Sequence, residues 1–95
     1  MLSTPVGQRR LLILELLKDP ARHFPPRRHT DPAADGVTAA AVADRLGMDR
    51  AVADAHLSLL AALGLLCTKR IRRRTHYRRD EIRIAEVARM FEKGW

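Results

Sequence analysis

The chain has 95 residues, 46% of them hydrophobic and 31% charged, with a formal net charge of +7 at pH 7. That length allows one domain with a modest core, which gains from further burial against a partner. The single cysteine, Cys67, excludes an internal disulfide and suits a reducing compartment, so a cytoplasmic location is expected, and no apolar run is long enough to span a bilayer.

The charge is uneven. Residues 69–79, KRIRRRTHYRR, carry seven Lys or Arg side chains and no acid, which leaves the rest of the chain near neutral. A strongly basic protein suits a polyanionic partner, and here that partner should meet one element rather than the whole surface. Binding to a membrane surface would need an amphipathic helix with a basic face, and this run reads as a pair of strands.

Residues 8–18, QRRLLILELLK, are strong helix formers. Leu11, Leu12, Ile13, Leu14, Leu16 and Leu17 surround most of the circumference, and a helix apolar nearly all round is buried on more than one side. In so small a protein the second side is expected to face another subunit. RRLLILELL does not read as a signal peptide: the run is short, Glu15 interrupts it, and KDPAR offers no small-residue cleavage pattern. The first element therefore takes in residues 1–18, and the Asp19-Pro20 step ends it, because a residue before proline resists the helical conformation.

Residues 19–36 hold Pro20, Pro25, Pro26, Pro32 and Gly36, with Phe24 as the one large apolar residue. They read as a long connection with one short helical turn anchored by Phe24. Connections of this length are uncommon in compact domains and are often mobile or functional. In residues 37–64, Thr38 is placed to cap a helix running to Leu46, with Val42 and Leu46 on one face. Gly47 suits the left-handed conformation that ends helices, and Asp49 is placed to cap the next one. There Ala53, Leu57, Leu60 and Leu63 or Gly64 recur at three- and four-residue spacing, the mark of a buried stripe. Two short helices joined by Gly-Met-Asp form a helix-turn-helix.

Residues 65–79 contain the β-favouring Ile71, Thr75 and Tyr77 and read as a hairpin turning near Arg72, Arg73 and Arg74, without an Asn-Gly or Asp-Gly signal. In residues 80–95, Asp80 is placed to cap a last helix. Ile84, Ala88, Phe91 and Trp95 line one face of it, and Val87 and Met90 widen that face. The fold class expected is mostly α with a small β-hairpin wing, a single winged helix-turn-helix domain.

The string VTAAAVADRLGMDRAVADAHLSLLAALGLL, followed by THY, resembles the arsenic-repressor (ArsR) family of winged-helix transcription regulators. The matching positions are Val42, Ala43, Leu46, Gly47, His56, Leu57, Leu60, Gly64, Leu65 and Tyr77, within residues 36–80; KDP and FPP in residues 18–26 look like one bacterial branch of that family. The outer helices match in character. The resemblance implies a homodimer built by the first and last helices, here through Leu11, Leu12, Leu14, Ile84, Val87, Phe91 and Trp95. It implies a second motif helix in the major groove of duplex DNA, with the wings along the backbone.

The face of that helix opposite its buried stripe carries Arg50, Ala51, Asp54, Ala55 and Ser58, where relatives usually place Ser, Thr, Gln or His. Arginine reads guanine through O6 and N7, and alanine meets a thymine methyl. Asp54 would be repelled by phosphates unless it accepts from cytosine N4 or pairs with an arginine. Lys69, Arg70, Arg72, Arg73, Arg74 and His76 of the wing are expected on the phosphates, which the planar, permanently charged guanidinium grips well.

No metal or other cofactor is expected. The closely spaced cysteines of one family site are missing from residues 42–57, and the last helix has no histidine. His23, His29, His56, Cys67 and His76 are scattered, although His23 and His29 share the connection and could meet in space. His56 reads as a helix residue packed beside the wing, and Cys67 as a small buried filler. No Gly-rich phosphate loop, Ser-His-Asp set or paired-carboxylate pattern points to an enzyme. The function expected is a sequence-specific DNA-binding transcriptional regulator, a repressor. The contrasting expectation is a winged-helix module for protein interaction or RNA binding that lacks base readout.

Overall fold

A computed structural model describes the backbone of residues 5–92 and the side chains of residues 7–90. Trp95 and the side chain of Phe91, both expected at a dimer interface, lie outside the described residues. The expected class holds: the chain is mostly helical, with a small antiparallel sheet.

Helix α1 spans Pro5–Lys18. Ile13, Leu16 and Leu17 are buried and Leu14 is half-buried, whereas Leu11 and Leu12 remain 42% and 46% exposed. The connection that follows holds two helical turns rather than one, α2 (Pro20–His23) and α3 (Pro32–Asp35). Each begins with an Asp-Pro step. Proline fits the first helical position, where its fixed φ is suitable and its missing N–H is not needed. The Asp31 carboxylate also caps α3, accepting from the Ala33 N–H at 3.0 Å, while Asp19 makes no such bond. Phe24 anchors the segment as expected, at 4% exposure.

Strand β1 (Val37–Thr38) was not foreseen in the sequence. It pairs antiparallel with β3 (Arg74–Arg79), Val37 opposite Tyr77 and Thr38 opposite His76. Strand β2 (Leu66–Ile71) takes the other edge of β3, so the order is β1-β3-β2. The approach to β1 depends on Gly36. Its φ of 87° lies in the left-handed region, and a Cβ there would overlap the Tyr77 carbonyl.

Thr38 caps α4 (Ala39–Leu46), its Oγ1 accepting from the Ala41 N–H at 3.2 Å. Gly47, at φ 65°, ends that helix. Helix α5 (Arg50–Ala62) follows; Asp49 occupies its N-cap position but accepts no capping hydrogen bond. Ala53, Leu57 and Leu60 form the buried stripe with His56, and Ile13, Val42 and Leu57 lie deepest in the core. Leu63 does not continue the stripe. The helix stops at Ala62, Gly64 turns the chain at φ 82°, and Leu63 is left 54% exposed.

His56 is tied to α1. Its Nδ1 accepts from Arg10 Nε at 3.3 Å. Burial first, and then the charges of Arg10 and Arg9, lower its pKa below the ordinary value, so it serves as a neutral acceptor.

Helix α6 (Glu81–Glu92) is capped by the Asp80 carboxylate, which accepts from the Arg83 N–H at 3.0 Å. None of its described side chains is fully buried. Ile84 and Val87 are half-buried, Ala88 is exposed, and Ile82 and Met90 are 75% and 51% exposed. Arg79 ties its start to α1: one guanidinium nitrogen donates to the Leu14 carbonyl at 3.0 Å and the other to Glu81 Oε1 at 3.1 Å. Arg79 Nε also lies 2.9 Å from Glu81 Oε2, but without hydrogen-bond alignment, so that contact is ionic only.

Two outcomes follow from this packing. Gly36→Ala should cost about 2–4 kcal/mol in urea unfolding, since the new methyl meets backbone at a strained φ. Because the folded pKa of His56 is depressed, the unfolded chain takes up a proton that the folded chain declines as pH falls below the ordinary value of 6.5. Stability should therefore decline on going below that pH, and His56→Gln, which keeps an acceptor but does not titrate, should flatten the decline.

Candidate nucleic-acid interface

The turn at Gly47, Met48 and Asp49 sets α5 across α4 with one stripe inward. The opposite stripe is in water: Arg50, Ala51, Asp54, Ala55 and Ser58 are all exposed. The structure thus places these five expected contact residues together on one accessible helix face.

The sheet has two faces because successive side chains alternate. Leu66, Thr68 and Arg70 share one face with Thr75, Tyr77 and Arg79; Cys67, Lys69 and Ile71 share the other with Arg74, His76 and Arg78. The first face buries Leu66 and Tyr77 in the core and, nearer the tip, turns toward α5. There a cleft of about 180 Å³ brings Arg50 and Asp54 of α5 together with Arg70, Arg73 and Arg74 of the wing. Thr38, Ala39 and Ala40 at the start of α4 complete it, and none of these was singled out as a contact residue from sequence. Four guanidiniums face one carboxylate. Among the described residues no ion pair within 4.0 Å joins Asp54 to any of them.

The basic run divides by partner. Lys69, expected on phosphate, pairs with Asp35 at 2.9 Å. The Asp31 backbone N–H and then the Lys69 ammonium hold the Asp35 carboxyl below its usual range. Arg70 donates to Thr75 Oγ1 at 3.2 Å, and Arg79 is committed to α1 and Glu81. The guanidiniums of Arg72, Arg73 and Arg74 have no partner among the described residues. His76, expected with them, must be corrected: it is 5% exposed on the far face of the sheet, its Nδ1 3.2 Å from the Arg74 carbonyl. Strand alternation carries its side chain away from α5.

The wing turn is a two-residue loop of Arg72 and Arg73, at φ 49° and 69°. Positive φ at both central residues is the type I′ geometry that matches strand twist and usually calls for Asn-Gly. Two arginines in that conformation are strained, so charge has displaced the residues that the turn prefers.

Among the described residues no group of three or more His, Cys, Asp or Glu side chains could hold a metal ion. No helix among them is long and apolar enough to cross a membrane.

No protein-family model matches the chain. It is similar to the uncharacterized HTH-type transcriptional regulator YbzH of Bacillus subtilis (strain 168), at 38% identity over 82 residues, which cover 86% of this chain and 82% of that protein.

Replacing Arg72 by Asn together with Arg73 by Gly should relieve the turn and stabilise the fold by about 1–2 kcal/mol, read from the midpoint of urea unfolding.

Proposed function

The chain belongs to the HTH-type transcriptional regulators, and from that premise we propose that it binds duplex DNA sequence-specifically as a homodimer and acts as a repressor. The observation that carries this reading is the cleft in which Arg50 of α5 and Arg70, Arg73 and Arg74 of the wing converge. In it α5 lies in the major groove, with Arg50 reaching for guanine and Ala51, Ala55 and Ser58 making close contact with base edges. The partnerless Arg72, Arg73 and Arg74 lie on phosphates, where each neutralised phosphate releases condensed counterions. The likeness to the ArsR family in residues 36–80 supports the repressor role.

The dimer reading rests on apolar surface left in water. Leu11 and Leu12 on α1 and Ile82 and Met90 on α6 are exposed, and Arg79 joins those two helices at their junction. Ile84, Val87 and Leu14, half-buried in one chain, would be covered further in two. A two-fold dimer would present two copies of α5 to successive major grooves, one helical turn apart. Asp54 favours a second reading, a protein-interaction or RNA-binding module, because its carboxylate opposes the field of DNA at the centre of the contact face.

Sedimentation equilibrium at micromolar concentration should return twice the chain mass, and a well-folded monomer would overturn the dimer. A gel shift on the chain's own upstream DNA, with competitor DNA present, tests the function directly. With about three phosphates neutralised per wing, the log–log salt slope of a dimer should be about −5, and Arg72→Ala, Arg73→Ala and Arg74→Ala together should flatten it on every duplex. Asp54→Ser should tighten binding to random duplex by about threefold to tenfold. Indifference to Asp54→Ser, with wing variants still weakened, would favour the second reading.

A further inference from the structure

The connection carrying α2 and α3 lies over the face of the sheet that turns away from α5. Two clefts open between them. The inner one, about 260 Å³, has an apolar lining of Phe24, Pro25, Pro32, Val37 and Ala41. The outer one, about 660 Å³, is walled by Arg27, Arg28, Arg72 and Arg74 and has no carboxylate in its lining. Arg27, Thr30, Thr38 and His76 line both, so the two are one continuous site. Asp44 is the one acid on either lining, and Arg45 stands beside it.

At the junction sits His76, 95% buried, as its exposure of 5% implies. Its Nδ1 faces the Arg74 carbonyl at 3.2 Å; a carbonyl only accepts, so Nδ1 carries the proton and donates. That leaves Nε2 without a hydrogen-bond partner among the described residues. Nε2 is not fully enclosed, so it can accept from a donor on a ligand in the cleft. None of the four outer guanidiniums has a side-chain partner among the described residues.

We propose that this site binds a small aromatic carboxylate, its ring in the inner cleft and its carboxylate among the arginines. The apolar lining fits a flat hydrocarbon body, and the inner volume is close to the lower end of ordinary ligand sites, roughly 300–1,000 Å³. Guanidinium forks match a carboxylate in shape and charge. A hydroxyl on the ring donates to Nε2 of His76. The site adjoins the cleft on the α5 side of the sheet, with Thr38 and Arg74 lining both, and the proposal concerns ligand binding alone.

The experiment is an amide-shift NMR titration of the full chain with 2-hydroxybenzoate at fixed ionic strength. Saturable shifts are expected at Thr30, Val37, Ala41 and His76, with one ligand per chain. Arg27→Ala with Arg28→Ala, both on exposed side chains, should weaken binding about tenfold without changing the melting temperature. Ala41→Leu fills the inner cleft and should abolish binding. Benzyl alcohol, which lacks the charge, and inorganic phosphate, which lacks the ring, should each bind about tenfold more weakly. The proposal is overturned by the absence of saturable shifts, by phosphate binding as tightly as 2-hydroxybenzoate, or by indifference to the double arginine variant. No DNA is present in the experiment, so these outcomes leave the DNA-binding reading untouched.

Discussion

The pairing of Val37 and Thr38 with Tyr77 and His76 is the contact on which the binding side of the molecule depends. It makes β3 a central strand instead of the edge of a hairpin. One face of β3 then sends Tyr77 into the core, while the other lies under the connection. Thr38 is at once the last residue of β1 and the cap of α4, so the pairing also fixes where the helix-turn-helix starts. All of this requires the backbone at Gly36 to pass against the Tyr77 carbonyl, a distance closed to any residue with a side chain.

The basic run is tolerable because its charges do different work. Like charges this close repel, and screening in physiological salt acts over about 8 Å, farther than neighbouring side chains are apart. Lys69 and Arg79 are tied to carboxylates, at Asp35 and Glu81. Both ties also hold the wing to the rest of the fold, one to α3 and one to α1 and the start of α6. Of the cations of the run left without a carboxylate partner among the described residues, Arg72, Arg73 and Arg74 are gathered at the tip, where water solvates them and a polyanion would neutralise them. Arginine at both positive-φ turn positions shows the same priority, with local backbone preference yielding to charge.

The margins of the domain are as informative as its centre. The core closes around Ile13, Val42 and Leu57, but α6 contributes no fully buried side chain among those described. A chain of this size has too little interior to cover two terminal helices on all sides. Apolar residues therefore remain in water on α1 and α6, next to the Arg79 junction that sets the two helices in relation to each other.

Much of this was legible in the sequence. Thr38, Gly47 and the Ala53, Leu57 and Leu60 stripe marked the helix-turn-helix, because caps and helical periodicity are local and act within a few residues. The outward face of α5 followed from the same periodicity. The concentration of charge at residues 69–79 was plain from composition, and Phe24 stood out as the one large apolar residue of its segment. Other features were settled only by contacts between distant parts of the chain. A two-residue strand has no period to read, so β1 appears only when β3 lies beside it. His76 looked like part of the basic run until strand alternation turned it under the connection, and His56 found Arg10, 46 residues away. Lys69 was one cation among seven until Asp35 came within 2.9 Å. Sequence determines local conformation and the amount of charge; which face a side chain takes, and which charges remain free, is decided by the packing of segments far apart in the chain.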